Sequence, residues 1–220
     1  MLDLTFQIQS VEPIAHAASP QLAFRLAIAE ASATDVQSVL LKCQIRIEPT
    51  RRRYQAENPE RLLDLFGPPD RWGKTMRSML WTHTQAIVPA FTGSTSLELA
   101  VPCSFDFNLA ATKYFAALED GEVPLCFLFS GTVFYQSESG GLQVAPISLE
   151  KQADFRLPVN VWKQMMDHYY PHSAWLCLDY DVFDRLLRYK AGNGFPTWER
   201  AIENLLARET PQVETSQVVS

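Results

Sequence analysis

Three observations in the sequence predict an α+β fold, an antiparallel β-sheet or sandwich covered by C-terminal helices. Segments 4–11, 21–30 and 36–49 alternate apolar and polar residues with a period of two. Residues 121–135, GEVPLCFLFSGTVFY, form the longest apolar run, and from residue 159 onward apolar residues recur at helical spacing. Clean alternation belongs to strands with one buried and one solvated face, which antiparallel sheets supply. A continuous apolar run between polar turns fits a strand buried on both faces, so 121–135 is expected at the centre of the sheet.

The remaining elements follow in order. Ser19-Pro20 marks a turn between the first two strands. In the third, Leu41, Cys43, Ile45 and Ile47 face one way and Lys42, Gln44, Arg46 and Glu48 the other. Three such strands joined by short turns suggest a meander. A helical insertion around residues 58–80 comes next. Asn58-Pro59 supplies an N-cap and a proline at the first helical position, Gly67-Pro68-Pro69 stops that helix, and Asp70 starts a second short one. Strand patterns resume at 81–90 and 96–107, and 108–118 is an Ala-rich helix. Residues 142–156 are extended and irregular, and 159–170 is helical up to Pro171. After a short extended piece at 175–178, a helix capped by Asp179 or Asp181 runs to Gly192, and Thr197 caps the last, 198–208. The sequence thus predicts one α+β domain over 1–209, β-rich to 157 and helical from 158 to 209, with a disordered polar tail at 210–220.

Composition narrows the function classes. The chain of 220 residues is 47% hydrophobic, enough for a sizeable core, with a net charge of -6 and a pI near 5.2. That acidity argues against a nucleic-acid partner, which requires a basic face. No apolar run approaches the ~20 residues of a membrane span. The N-terminus lacks the pattern of a signal peptide. Cys43, Cys103, Cys126 and Cys177 form no CxxC pair, and three lie in apolar strands. Buried structural thiols in a reducing cytoplasm are expected.

Candidate sites are few. Arg51, Arg52 and Arg53 form the one dense basic cluster, fit for an anion or an acidic partner, or else for a solvated loop. His168 and His172 have the i, i+4 spacing of metal ligands, with Asp167 and Cys177 near, but Pro171 interrupts the helix such a site needs. His83, Asp106 and the Glu119-Asp120 pair have no oriented partner in the pattern. Ser130 lies in no nucleophile elbow, and no phosphate-binding glycine loop occurs. No metal or cofactor is expected. Trp72, Met76, Met79, Trp81 and Phe91, with Trp162, Met165 and Met166, are either core or an adaptable partner-binding surface.

CQIRIEPTRRRY, LWTH, VPCSFDF, AATKYFAALEDGEVPL, LFSGTVF and PTWERAIENLL resemble a bacterial family of unknown function, domain-of-unknown-function family 6084, to about residue 207. Its genes often lie near those of uptake [NiFe]-hydrogenases, so the resemblance implies an accessory role. A more distant likeness is to the export chaperone SecB. Residues 5–9, 37–48 and 125–135 are similar to its first, third and fourth strands, and 170–171 with 178–189 to its closing helices. Residues 50–121 would then be an insertion and the last helix an addition. The expected function is non-enzymatic: a chaperone-like or assembly-accessory protein with a protein partner or client. The alternatives are a small-anion binder or enzyme built on Arg51, Arg52 and Arg53, and a structural subunit or homo-oligomer.

Overall fold

A computed structural model describes residues 3–32, 34–54, 58–103, 109–137, 140–173, 176 and 178–209, except the side chains of Asn58, Pro59, Leu109 and Glu209. The expectations for the Asn58-Pro59 cap, Asp106, Trp175, Cys177 and the tail from residue 210 lie outside these residues. The chain divides into two compact units, Met1–His172 and Ser173–Ser220.

The first unit is α+β and antiparallel, as the alternation implies, with eight strands in two sheets among the described residues. β1 (Leu4–Pro13), β2 (Gln21–Glu30) and β5 (Ser94–Pro102) form a three-stranded sheet in the order β1-β2-β5. β4 (Met79–Val88), β3 (Val36–Ile47), β6 (Glu122–Gln136) and β7 (Leu142–Pro146) follow one another in the second, and β8 (Gln152–Pro158) also pairs with β6. The antiparallel strands that the patterns predict thus divide between two sheets, the sandwich-like form of that fold. Period-two patterning gives each strand an inner face but does not say which sheet it joins. The irregular stretch 142–156 resolves into β7 and β8, both laid along β6.

The sheets face one another across a core built from their alternating residues. Leu22, Phe24, Leu26 and Ile28 of β2 are fully buried, as are Cys43, Ile45 and Ile47 of β3 and Phe127 and Phe129 of β6. Phe24 joins the layers: its ring lies 5.1 Å from that of Phe127, 5.8 Å from Phe155 and 6.3 Å from Trp81. Phe6 of β1 stacks on Phe129 at 4.4 Å. Each such side chain contributes roughly 1.5–3 kcal/mol through burial.

Between β3 and β4 the chain makes the predicted helical excursion, with α1 (Asn58–Arg61), α2 (Leu63–Phe66) and α3 (Trp72–Thr75). With α4 (Leu109–Ala117) and α5 (Val159–Tyr169) it extends the core. Tyr114 and Phe115 of α4 are completely buried. Trp162 of α5 stacks on Phe115 at 5.1 Å, Trp81 packs against the same ring, and Phe66 meets Tyr114. Tyr54 and Tyr114 share a hydrogen bond between hydroxyls at 2.8 Å.

At the turn after β2, Glu30 is a buried carboxylate. Its oxygens accept from Ser32 N, Ser32 Oγ and Thr34 N at 2.5–3.0 Å. Burial pushes this carboxyl up, and the hydrogen bonds from Ser32 and Thr34 outweigh it, holding the group below its ordinary range.

The second unit contains α6 (Tyr180–Gly192) and α7 (Trp198–Glu209). Thr197 Oγ1 accepts from Arg200 N at 3.3 Å, the cap expected there. Phe183 packs on Trp198, and Tyr189 donates to Asn204 Oδ1 at 2.6 Å. Among its described side chains only Ala201 is buried.

β6 is the central strand of the larger sheet, paired with β3 on one side and with β8 and β7 in succession on the other. Gly131 sits where β8 has ended and β7 is about to begin. Its φ is +136°, and a Cβ there would stand 2.0 Å from the carbonyl oxygen of Leu40. Only glycine allows β3 and β6 to approach this closely. Gly131→Ala is expected to cost at least about 3 kcal/mol in denaturant unfolding. A loss below about 1 kcal/mol would show that the approach is not a constraint.

Candidate partner-binding face

The outer face of the larger sheet has two chemically different ends. At one, Lys42, Gln44 and Arg46 of β3 lie beside His83 and Gln85 of β4 and Ser130 and Cys126 of β6. Lys42, Gln44, His83, Gln85 and Ser130 line a shallow depression there of about 530 Å³. This is the solvated polar face that the alternation of β3 implies.

At the other end the outward positions turn apolar. Ile87 of β4 lies opposite Leu40 of β3, Leu40 opposite Thr132 of β6, and Thr132 opposite Pro146 of β7. In the next row Ser38 faces Phe134, and Phe134 faces Val144. Gln136 faces Leu142 in the row after. Directly opposed residues in an antiparallel ladder share a face, so these side chains form one patch over four strands. Ile87 is 73% exposed, Leu142 64%, Val144 59% and Leu40 46%. No charged residue occurs in these rows. Scattered exposed leucines are ordinary, whereas apolar side chains gathered on one face form a candidate contact surface.

The patch runs to an open edge. β7 pairs only with β6 among the described strands. Ile147 N donates to Gly131 O at 2.9 Å and Ser137 N to Gly141 O at 2.9 Å. Alternation of the ladder then turns the main-chain groups of Gln143 and Ala145 toward β6. The N–H and C=O of Leu142 and Val144, and the C=O of Pro146, point away from it.

The arginine cluster is dispersed by the fold. Arg51 pairs with Asp154 at 3.0 Å on the surface, and Arg53 is exposed. The Arg52 side chain is only 6% exposed. It donates from Nη2 to Asp120 O and from Nη1 to Glu122 O, each at 2.6 Å, while Nε is buried without a hydrogen-bond partner. Its guanidinium thus clamps the turn leading into β6. Gly121, at φ +72°, lies under it, where a Cβ would come within 3.2 Å of Nη1.

The Met and aromatic residues are placed mostly in the core. Met76, Trp81, Trp162, Met165 and Met166 are buried, while Trp72, Met79 and Phe91 are partly buried against the same core. His83 is exposed. His168 closes α5 and His172 follows it at φ +54°. Among the described residues no three His, Cys, Asp or Glu side chains converge as metal ligands. Cys43, Cys103 and Cys126 are buried free thiols. Burial pushes Cys43 and Cys103 up to about 12 and raises Cys126 as well, with Asp154 adding to that rise. All three are poor nucleophiles. No described helix is long and apolar enough to cross a membrane.

Sequence reasoning passed over Leu40, Ile87, Phe134, Leu142 and Val144. The signal was available for the first two. Val39, Leu40 and Leu41 are consecutive apolar residues in an alternating strand, so one of them must point outward. The same holds for Ile87 beside Val88.

The chain belongs to a family of unknown function, DUF6084, whose model matches residues 1–214. No curated protein matches it. Among solved structures it is similar to a late embryogenesis abundant (LEA) protein, at 11% identity and a TM-score of 0.29, over 71% of that chain and 70% of this one. It is similar to the ApaA protein from Bordetella pertussis at 13% identity and a TM-score of 0.23, over 93% of that chain and 71% of this one. With a β-glucosidase from Kluyveromyces marxianus the identity is 6% and the TM-score 0.25; 71% of this chain spans 15% of that enzyme. Likenesses at these scores bear on neither fold nor function.

The placement of Arg52 has a measurable consequence. Arg52→Ala is expected to lower stability by about 2–4 kcal/mol, because the carbonyls of Asp120 and Glu122 lose charged donors. Arg51→Ala and Arg53→Ala should each stay within about 1 kcal/mol of wild type. Thermal unfolding with and without phosphate checks this. Phosphate stabilisation that disappears in Arg52→Ala would instead make the cluster an anion site.

Proposed function

We propose that this protein is a non-enzymatic binding protein, chaperone-like or an assembly accessory, and that its partner lays an extended apolar segment on the outer face of the larger sheet. One observation carries the reading: the exposed Leu40, Ile87, Leu142 and Val144, with the half-buried Phe134 between them, form an uncharged patch that reaches the open edge of β7. Strand addition at such an edge gains affinity from main-chain hydrogen bonds. The side chains that alternate onto the patch supply selectivity.

Hydrogenase subunits are the first partners to try, because the family resemblance implies that genomic neighbourhood. The partly buried Trp72, Met79 and Phe91 pack against the core and are left to a supporting role. The anion-binding alternative loses force because Arg52 is committed to main-chain carbonyls.

Ile87→Glu and Leu142→Glu replace exposed side chains, so folding should survive while a charge enters the patch. Affinity capture from the native host, read by mass spectrometry, is expected to recover a partner with wild type and to lose at least about ten-fold of it with either variant. Equal recovery by wild type and both folded variants would overturn this face as the binding site.

A further inference from the structure

We infer that a cavity between the two sheets, beside β7, takes a basic side chain (arginine or lysine) of the strand that β7 receives, so that the partner segment alternates apolar and basic residues. This deepens the binding face proposed above and rests on it. Val144 N–H and C=O point away from β6, so in an antiparallel ladder the partner residue opposite Val144 exchanges both bonds with it. That residue, with those opposite Leu142 and Pro146, lies on the apolar patch, because opposed side chains share a face. The partner residue opposite Ala145 points the other way, to the inner side of the sheet.

A cavity of about 880 Å³ lies on that inner side. Ala145 and Pro146 line it at the open edge, and Leu4 of β1 lines it from the opposing sheet. Leu4, Val133 and Ile147 give it a buried apolar floor, and the half-buried Tyr135 adds an aromatic wall. The rim is charged. Lys151 Nζ meets Asp3 Oδ1 at 2.6 Å, so these two charges compensate one another. Glu150 also lines the cavity, is exposed, and has no ion-pair partner among the described residues. The rim therefore carries one unanswered negative charge. An apolar floor below a carboxylate suits a side chain with a long aliphatic stem and a cationic head, and the Tyr135 ring offers that cation a further contact. An acidic side chain in the same place would be repelled by Glu150. The net charge of -6 also draws a basic segment toward the chain from a distance.

Synthetic peptides provide the test. Fluorescein-labelled Ser-Val-X-Val-Thr-Val-Ser, with arginine, alanine or glutamate at X, is titrated with the full chain and read by anisotropy. X falls opposite Ala145 when the three valines lie opposite Pro146, Val144 and Leu142. The arginine peptide is expected to bind at least about ten-fold more tightly than the glutamate peptide, with the alanine peptide between them. Glu150→Lys, at an exposed turn position, should fold and reverse the order of arginine and glutamate. Val144→Pro removes an N–H that β6 does not use, and with a native circular dichroism spectrum it should weaken all three peptides. Equal affinities for the three peptides, lost in folded Val144→Pro, would overturn the use of the cavity and leave the edge as the binding site. An arginine preference that survives Glu150→Lys would overturn it too, as a general attraction to an acidic chain. Binding unchanged in folded Val144→Pro would place the peptide away from β7. No binding by any peptide would also overturn the inference, and the binding face would then stand or fall with capture from the host.

Discussion

The structure depends on one strand being paired along both sides. β6 is hydrogen-bonded to β3 over nearly its whole length and to β8 and then β7 on the other flank. Its first half is buried on both faces and its second half on one. That change of environment lies beside Gly131, where the β3 backbone comes closer than any side chain permits. Before this point β6 is buried on both faces, with Phe127 inside and Cys126 near Arg51 and Asp154. Beyond it, β6 carries Phe134 on an uncovered face. The core and the candidate site are two halves of one strand.

The apolar patch is therefore not a packing remnant at a frayed end. Leu40 and Ile87 sit on well-paired positions of β3 and β4, directly above a core sealed by Val39, Leu41 and Val88. A rigid ladder holds them outward, with no charged neighbour in the row. The other end of the same face is mixed: Lys42, Gln44, Arg46 and Gln85 share it with Leu80 and Leu128. A sheet that changes from one chemistry to the other within a single row has an exposed region available for apolar contact. Arg52 contributes from beneath the other end by fixing the turn from which β6 starts.

Much of the fold was legible in local pattern. The alternation of 21–30 and 36–49 identified β2 and β3 with their inner residues, and the apolar run located β6 as the central strand. The helical excursion and the capped α7 followed from proline, glycine and threonine positions, and α4 from its Ala-rich composition. What local pattern does not carry is pairing. The split into two sheets, and the pairing of β3 with β6, arise from contacts far apart in sequence. β7 is five residues long and too short to show a period. The candidate site was harder. Methionine and tryptophan at 72–81 and 162–166 have the composition of a sticky surface, yet most fill the space where α4 and α5 meet the sheets. The exposed apolar residues were ordinary Leu, Ile and Val, betrayed only by a break in alternation.

Residue-resolved amide exchange across β7 tests the central claim most directly, that β7 is an open edge beside an apolar face and is closed only by another strand. In dilute protein, Gln143 and Ala145 should be protected by their bonds to β6, while Leu142 and Val144 exchange at nearly unprotected rates. When a partner strand is added, the outward amides of Leu142 and Val144 should gain protection while Gln143 and Ala145 keep their rates. Protection of all four amides at every dilution would contradict the account, because the edge would then already be covered within a single chain.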